Sequence, residues 1–250
     1  MTTTRTTGAS LSKEPERIAR MFDGIARRYD RLNHLLSAGL DRRWRRYAIR
    51  ELKLTGRERV LDVCTGTADL AIEAATSSSG QAREVIGVDF SSEMLRLAQR
   101  KIHEASLAAR VRIARGDATR LPLPDWSADV ATVAFGIRNV VDPVQACREL
   151  YRVLVPGGQL AILEFGAPRI PGIRTMYLWY FKYVLPLVGR AVSQHSDAYS
   201  YLPESVMHFP AGEAFADLLR SAGFDDVRSQ PLTFGIVWLY IATRGPKVVG

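Results

Sequence analysis

The chain is short of cysteine, of histidine and of long apolar runs, and each shortage excludes something. Two cysteines in 250 residues, Cys64 and Cys147, both inside apolar segments, build neither a disulfide framework nor a metal-ligand spacing. They suit a reducing compartment, and with no Cys/His/Asp grouping in view no metal is expected. The most apolar stretch, Tyr177 to Val188, is interrupted by Lys182 and Pro186 and is too short to span a bilayer. The first eight residues are polar and threonine-rich, so neither a signal peptide nor an anchor is expected there. The spacing Gly-x-Gly-x-x-Gly is missing, which argues against a pyrophosphate clamp.

Acidic residues run short in one region only. The formal net charge is +8, and residues 1–60 hold 15 Lys or Arg against 7 Asp or Glu, while residues 61–250 hold 19 of each. A basic leader is compatible with an anionic membrane surface, with a nucleic acid, or with solubility alone. No aromatic-basic repeat of the kind RNA-binding modules carry accompanies it, so nucleic acid is not the expected partner.

What remains is an ordinary soluble composition, 47% hydrophobic and 24% charged, enough for one large domain with an insertion. Residues 1–15 read as a disordered tail. Residues 16–57 read as a basic helical leader covering a pocket mouth: Ile18, Met21, Phe22 and Ile25 recur at helical spacing, and Tyr29, Leu32, Leu35 and Leu36 continue the apolar positions. Asp41 opens a further helix as its cap, with Trp44 and Ile49 buried and the arginines around them solvated.

From residue 58 onward, strands and helices alternate, the signature of a doubly wound α/β sheet. Strands are expected at 59–64, 83–89, 111–115, 129–135 and 159–165. Helices are expected at 68–77, 91–104 (Met94, Leu95 and Ala98 facing the sheet) and 142–154, with a turn at Pro156-Gly157-Gly158. The rhythm breaks over 167–210, where five prolines and many aromatics form an insertion around an apolar helix. That insertion is a wall for an apolar substrate, a dimer contact, or an extra layer of core. A helix over 211–221 and two final strands between Val227 and Tyr240, turning near Thr233–Gly235, complete the chain. A terminal hairpin on a mostly parallel sheet favours the seven-stranded methyltransferase plan over the six-stranded nucleotide-binding one.

The chemistry is expected at the carboxyl ends of these strands. Thr65-Gly66-Thr67 after strand one is small enough to let backbone approach a ligand, and Asp89, ending strand two, can accept hydrogen bonds from both hydroxyls of a ribose. The competing reading is a tight strand–helix turn with Asp89 as a helix cap. Asp117 and Ala118, just past strand three, either hold an adenine or form a turn in which Asp117 satisfies its own backbone. A ligand carrying adenosine and no phosphate, S-adenosyl-L-methionine, suits the loop. Strand four delivers Arg138 and Asn139 to the same edge, where Arg138 orients an oxygen, fixes a carboxylate, or pairs with Asp142. Glu164, ending strand five, points near the cleft or satisfies a neighbouring arginine.

Several segments together resemble the UbiE/MenG family of S-adenosylmethionine-dependent quinone C-methyltransferases. They are Met21-Phe-Asp-Gly-Ile-Ala-Arg-Arg-Tyr-Asp30 with Leu32-Asn33, Leu36-Ser-Ala-Gly-Leu-Asp-Arg-Arg-Trp44, Leu61-Asp-Val-Cys-Thr-Gly-Thr67, Phe135-Gly-Ile-Arg-Asn139, Pro156-Gly-Gly158 and Ala198-Tyr-Ser-Tyr-Leu-Pro-Glu-Ser205 ahead of Phe209-Pro210. The first-strand loop is common to many methyltransferases, while the leader, the Phe-Gly-Ile-Arg-Asn run and the Tyr-x-Tyr-Leu segment are far more specific. The resemblance runs from about Phe22 to Tyr240. It implies a Rossmann-like class I methyltransferase fold and a cofactor set of Asp62, Thr65, Gly66, Thr67, Asp89, Phe90, Asp117, Ala118 and Ala134. Many relatives have serine at the position of Ala134, so only backbone contact is expected there; relatives often have histidine where this chain has Asp41.

The resemblance also implies C-methylation of demethylmenaquinol, with the ubiquinone-pathway 2-polyprenyl-6-methoxy-1,4-benzoquinol as the alternative acceptor. Arg138 is then expected to stabilise a phenolate and Asn139 to orient the ring oxygens, with His195 and Tyr201 as candidates to accept the proton. The polyprenyl tail implies visits to an anionic membrane surface by a cytoplasmic enzyme, peripheral at the inner face of the cell membrane. A homo-oligomer is compatible with all of this.

Overall fold

The computed structural model describes residues 37, 39–168, 170–184 and 197–246, together with positions 18, 20, 21, 23, 24, 26 and 34. The expectations for the tail 1–15, for Phe22, Ile25, Tyr29, Leu32, Leu35 and Leu36, and for His195 lie outside the described residues.

Seven strands form one sheet: β1 (Arg59–Val63), β2 (Glu84–Asp89), β3 (Val111–Arg115), β4 (Ala128–Ala134), β5 (Leu154–Phe165), β6 (Asp225–Leu232) and β7 (Val237–Thr243). Their order is β3-β2-β1-β4-β5-β7-β6. Every pairing is parallel except the two that β7 makes with β5 and β6. This is the seven-stranded plan with a terminal hairpin, and it reverses strand order between β1 and β4, where such sheets open a crevice.

From residue 40 onward the α-helices with described bounds are α1 (Leu40–Leu52), α2 (Asp69–Thr76), α3 (Ser92–Glu104), α4 (Pro143–Val153), α5 (Pro171–Trp179), α6 (Asp197–His208) and α7 (Glu213–Ser221). Strand side chains alternate between two cores, as a period of two requires. Val60, Val85 and Val130 meet α1, α2 and α3 through Ile49, Ala74 and Ala98. Leu61, Val88 and Ala131 share the other face with Leu150 of α4 and Phe215 and Leu219 of α7. The alanines of α2, Ala71, Ala74 and Ala75, are fully buried, so that helix lies close on the sheet directly after the β1 loop.

Several expectations need correction. Pro156-Gly157-Gly158 is not a free turn but part of β5, because Gly157 N–H donates to Arg244 O and Arg244 N–H to Gly158 O. The last helix starts at Glu213, since Gly212 (φ 75°, ψ −137°) cannot be a helical residue. Leu95 is half-buried, and Ile102 takes the inward place in α3. Asp41 caps nothing: it lies in the first turn of α1, which Gly39 precedes at φ 75°, and it accepts from Ser37 Oγ at 2.8 Å. Arg45 is not solvated. It is buried against Asp41 at 2.5 Å and Asp69 at 3.5 Å, whereas Arg42, Arg43 and Arg46 are exposed.

The insertion runs α5 into a π-helical turn, Tyr180–Val184, and resumes as α6. Met176, Trp179 and Tyr183 stand exposed at 63%, 55% and 49%. Among the described residues no helix is long and apolar enough to cross a membrane.

Candidate active site

The chain leaves β1 through a tight loop in which Cys64 (φ 56°), Gly66 (φ 56°) and Ala68 (φ 67°) are all left-handed. Such strain persists only where surroundings hold it. Here they do. Thr65 N–H donates to Val88 O at 3.1 Å, and the Thr65 hydroxyl donates to Asp62 Oδ2 at 2.6 Å. Asp62 Oδ1 accepts from Thr132 Oγ1 at 2.7 Å, so one buried carboxylate ties the loop to β4. Gly87 makes room for this, because a Cβ there would lie 2.9 Å from Thr65 Oγ1. Burial pushes the Asp62 carboxyl up to about 6 despite its two hydroxyl donors.

Asp89 closes the next strand with both oxygens engaged by backbone. Oδ2 accepts from Gly66 N–H at 2.8 Å and Oδ1 from Ser91 N–H at 2.9 Å. Ser91, not Asp89, is the side-chain cap of α3, its Oγ accepting from Met94 N–H. Each carboxylate oxygen retains a further lone pair for a ligand hydroxyl. Burial raises the Asp89 carboxyl, with the neighbouring N–H groups pulling the other way.

These elements line an open cleft enclosing about 810 Å³ of empty space, solvent at its mouth included. It runs from Gly66, Asp89 and Phe90, past Asp117 and Ala118, to Ala134 and Asn139. Ile18 of the leader and Met94 of α3 add apolar contact. Seven of the expected site residues thus meet in one place. Asp117 Oδ1 accepts from Thr119 N–H at 2.8 Å in a local turn, and the residue also lines the cleft.

Five expected site residues do not line it. Asp62 and Thr65 lie beneath the loop and brace it. Thr67 is buried and accepts from Lys101 Nζ at 3.1 Å. Arg138 is buried and pairs with Glu164 Oε1 at 2.6 Å, not with Asp142, which instead caps α4 by accepting from Gln145 N–H at 2.9 Å. Tyr201 is buried in α6, which packs on the short turn Ile137–Asn139, and it does not reach the lining either.

The bend after β4 is the most constrained part of the site. Phe135 is left-handed at φ 59°, its O accepts from Arg138 Nη1 at 2.6 Å, and its ring stacks on Phe165 at 4.5 Å. A Cβ on Gly136 would lie 2.3 Å from Cys64 Cβ, so only glycine lets the two loops touch. Arg138 N–H also donates to Glu164 Oε2, and Phe165 N–H to Glu164 Oε1. The outcome is Asn139 held at the cleft with a buried Oδ1 that, among the described residues, no hydrogen bond satisfies. Such an atom costs about 1–3 kcal/mol, a cost that a donor on a ligand would remove.

Electrostatics point the same way. Burial first, then the carboxylates of Asp89, Asp62, Glu164 and Asp117, hold the Cys64 thiol well above its ordinary range. It is therefore neutral and no nucleophile. Of these carboxylates Asp89 and Asp117 line the cleft, and they favour a ligand bearing positive charge.

Sequence reasoning missed Cys64, Gly136, Met94 and Val140 as lining residues, along with Lys101 beside Thr67. For Glu164 a signal existed, an acid ending an apolar strand; for Lys101 there was none.

The model of the ubiE/COQ5 methyltransferase family matches residues 10–244. The ubiquinone/menaquinone biosynthesis C-methyltransferase UbiE of Geobacter sp. (strain M21) is 44% identical over 235 residues, covering 94% of this chain and 99% of that protein. The demethylmenaquinone methyltransferase of Bacteroides fragilis is 42% identical over 232 residues, covering 93% and 94%. Among solved structures, a SAM-dependent methyltransferase from Aquifex aeolicus superposes with a TM-score of 0.58 at 21% identity, over 92% of this chain and 98% of that one, a likeness of fold.

Proposed function

The chain belongs to the ubiE/COQ5 methyltransferase family, and on that premise we propose that it methylates a ring carbon of demethylmenaquinol. The methyl donor is S-adenosyl-L-methionine. One observation supports the reading at this site: Asp89 and Asp117 stand in one cleft at the carboxyl ends of the strands, where they suit an adenosine ligand bearing positive charge.

The residues present fit that donor. Asp89 would accept from the ribose hydroxyls while Gly66 N–H and Ser91 N–H keep its carboxylate aimed. Asp117 would accept from the adenine amino group and the Ala118 N–H would face a ring nitrogen, with Phe90 and Met94 as apolar neighbours. Ala134 offers backbone only. Bound there, the donor supplies an electrophilic methyl on a positively charged sulfur.

Carbon has no lone pair, so the acceptor must bring electron density to its ring. Loss of one phenolic proton does this, and a phenol of pKa about 10 needs only modest help. Asn139 Oδ1, buried and unsatisfied, would accept from a ring hydroxyl and so orient the acceptor. Arg138 has Nη1 committed to Glu164 and to Phe135 O, which leaves its remaining N–H groups for electrostatic support of a phenolate. Its Nε is buried without a partner. A tail-bearing acceptor requires a meeting with lipid, and the exposed Met176, Trp179 and Tyr183 suit an anionic membrane surface visited at the cytoplasmic face.

The ubiquinone-pathway benzoquinol is the second acceptor to consider, because the Geobacter relative carries both quinones in its name. The experiment is transfer of labelled methyl to each reduced quinone in detergent. Turnover of demethylmenaquinol is expected; turnover of neither, with S-adenosylhomocysteine still bound, would refute the acceptor assignment.

A further inference from the structure

On the outer face of α1 lies a second concavity that the transfer reaction does not use. Arg43, Arg46 and Arg50, at i, i+3 and i+7, share one side of the helix and line an open groove with about 1200 Å³ of empty space, solvent included. The Ser77-Ser78-Ser79 turn after α2 forms the opposite wall. All three arginines are exposed, and among the described residues none of them is in an ion pair. Arg50 stacks over the Tyr47 ring at 4.9 Å, which pre-positions its guanidinium. The acid of the lining, Glu73, interacts electrostatically with Arg46 and Arg45, and as a single carboxylate it offsets only part of the groove's charge. Three guanidinium groups against one carboxylate, with hydroxyls in the same lining, make an oxyanion receptor, and planar forks match phosphate oxygens.

The groove is also apolar on one side, where Leu40, Trp44 and Leu232 line it. Trp44 is a shared wall. Its Nε1 donates to Thr233 Oγ1 at 2.9 Å, and its ring packs on Phe135 at 6.1 Å and edge-on to Phe165 at 6.4 Å, while Phe135 lines the cleft.

We propose that this groove binds the headgroup phosphate of an anionic phospholipid, with the apolar wall against the adjoining glycerol and acyl carbons. Free phosphate would use the arginines and leave Leu40, Trp44 and Leu232 without purpose. The proposal rests on the reading that the acceptor is carried by lipid. Through Trp44, a headgroup seated here would steady Phe135 at the moment the enzyme meets its substrate's membrane.

The test is cosedimentation of the full chain with vesicles of phosphatidylglycerol and phosphatidylcholine at fixed ionic strength. It compares Arg43→Ala/Arg46→Ala/Arg50→Ala with a control triple, Arg83→Ala/Arg100→Ala/Arg112→Ala, that removes the same charge from exposed sites elsewhere. The groove triple is expected to lose about tenfold or more in vesicle affinity and the control less than about threefold. Equal losses would mean a diffuse field and overturn the site. So would inorganic phosphate that binds the groove as tightly as the vesicles do, or an RNA duplex that binds with the same arginine dependence. Calorimetry with S-adenosylhomocysteine accompanies each variant. Unchanged binding certifies the fold, and an absence of binding in the unmodified chain would count against the cofactor reading rather than the groove.

Discussion

Glu164 and Arg138 form an ion pair at 2.6 Å, with side chains 0% and 6% exposed. The carboxylate also accepts from two backbone N–H groups, Arg138 and Phe165, and the guanidinium reaches Phe135 O. The pair therefore holds the bend that presents Asn139. Removing one partner strands a buried charge, so Glu164→Ala is expected to cost about 3–5 kcal/mol in urea unfolding. Arg138→Met combined with Glu164→Leu should recover much of that stability while leaving methyl transfer impaired.

Asn139→Ala removes the unsatisfied acceptor at the cleft. Turnover should fall by tenfold or more, roughly 1.4 kcal/mol of barrier, with S-adenosylhomocysteine affinity nearly unchanged. A loss in cofactor affinity as large as the loss in turnover would move Asn139 from the acceptor to the donor. Steady-state kinetics alongside calorimetry separates the two.

Asp89→Asn replaces one acceptor oxygen with a donor that faces backbone N–H groups. Hydrogen bonds to charged groups contribute about 1.5–3 kcal/mol, so S-adenosylhomocysteine should bind about ten- to a hundredfold more weakly. Binding within twofold of the unmodified chain would remove Asp89 from the ribose site.

Asp62 gives a pH dependence with a definite sign. Its carboxyl rises from 3.8 to about 6 on folding, so the native state holds the proton more tightly than the unfolded chain. Stability from this group is greatest below pH 4 and declines as pH rises to 6, by roughly 3 kcal/mol in all. Asp62→Asn keeps a partner for both threonine hydroxyls and should remove that slope. Melting temperatures across this window check it, and parallel curves for the two proteins would contradict it.

Gly136→Ala places a methyl 2.3 Å from Cys64 Cβ. The two loops must part, at a cost of about 1–3 kcal/mol. Cofactor affinity should fall with stability, and a Cys64→Gly replacement should restore part of both.

The strands and the flanking helices were readable because burial on both faces demands an apolar run whatever the neighbour is. Val60, Leu61 and Val63 announce β1 without any knowledge of β4. The small residues at 65–67 and the acid ending β2 were readable for a similar reason, since they are local solutions to a local geometry. Arg138 was legible as a residue at the edge beyond β4, while its partner is Glu164 and not the alternative Asp142. Asp142 is four residues away and Glu164 twenty-six, and only the β4–β5 register, Ala134 opposite Leu163, brings Glu164 beside Phe135.

The chain's own order of residues thus determined the strands, the helices, the small-residue loop and the acids at the sheet's edge, because backbone conformation and side-chain burial act over a few residues. Tertiary structure alone decided that Asp62 braces the loop, that Arg45 is buried, and that Asn139 Oδ1 finds no partner among the described residues. Those outcomes depend on which distant groups share a low-dielectric space, as Asp62 and Thr132 do across seventy residues, and pairing at that range is set by sheet register.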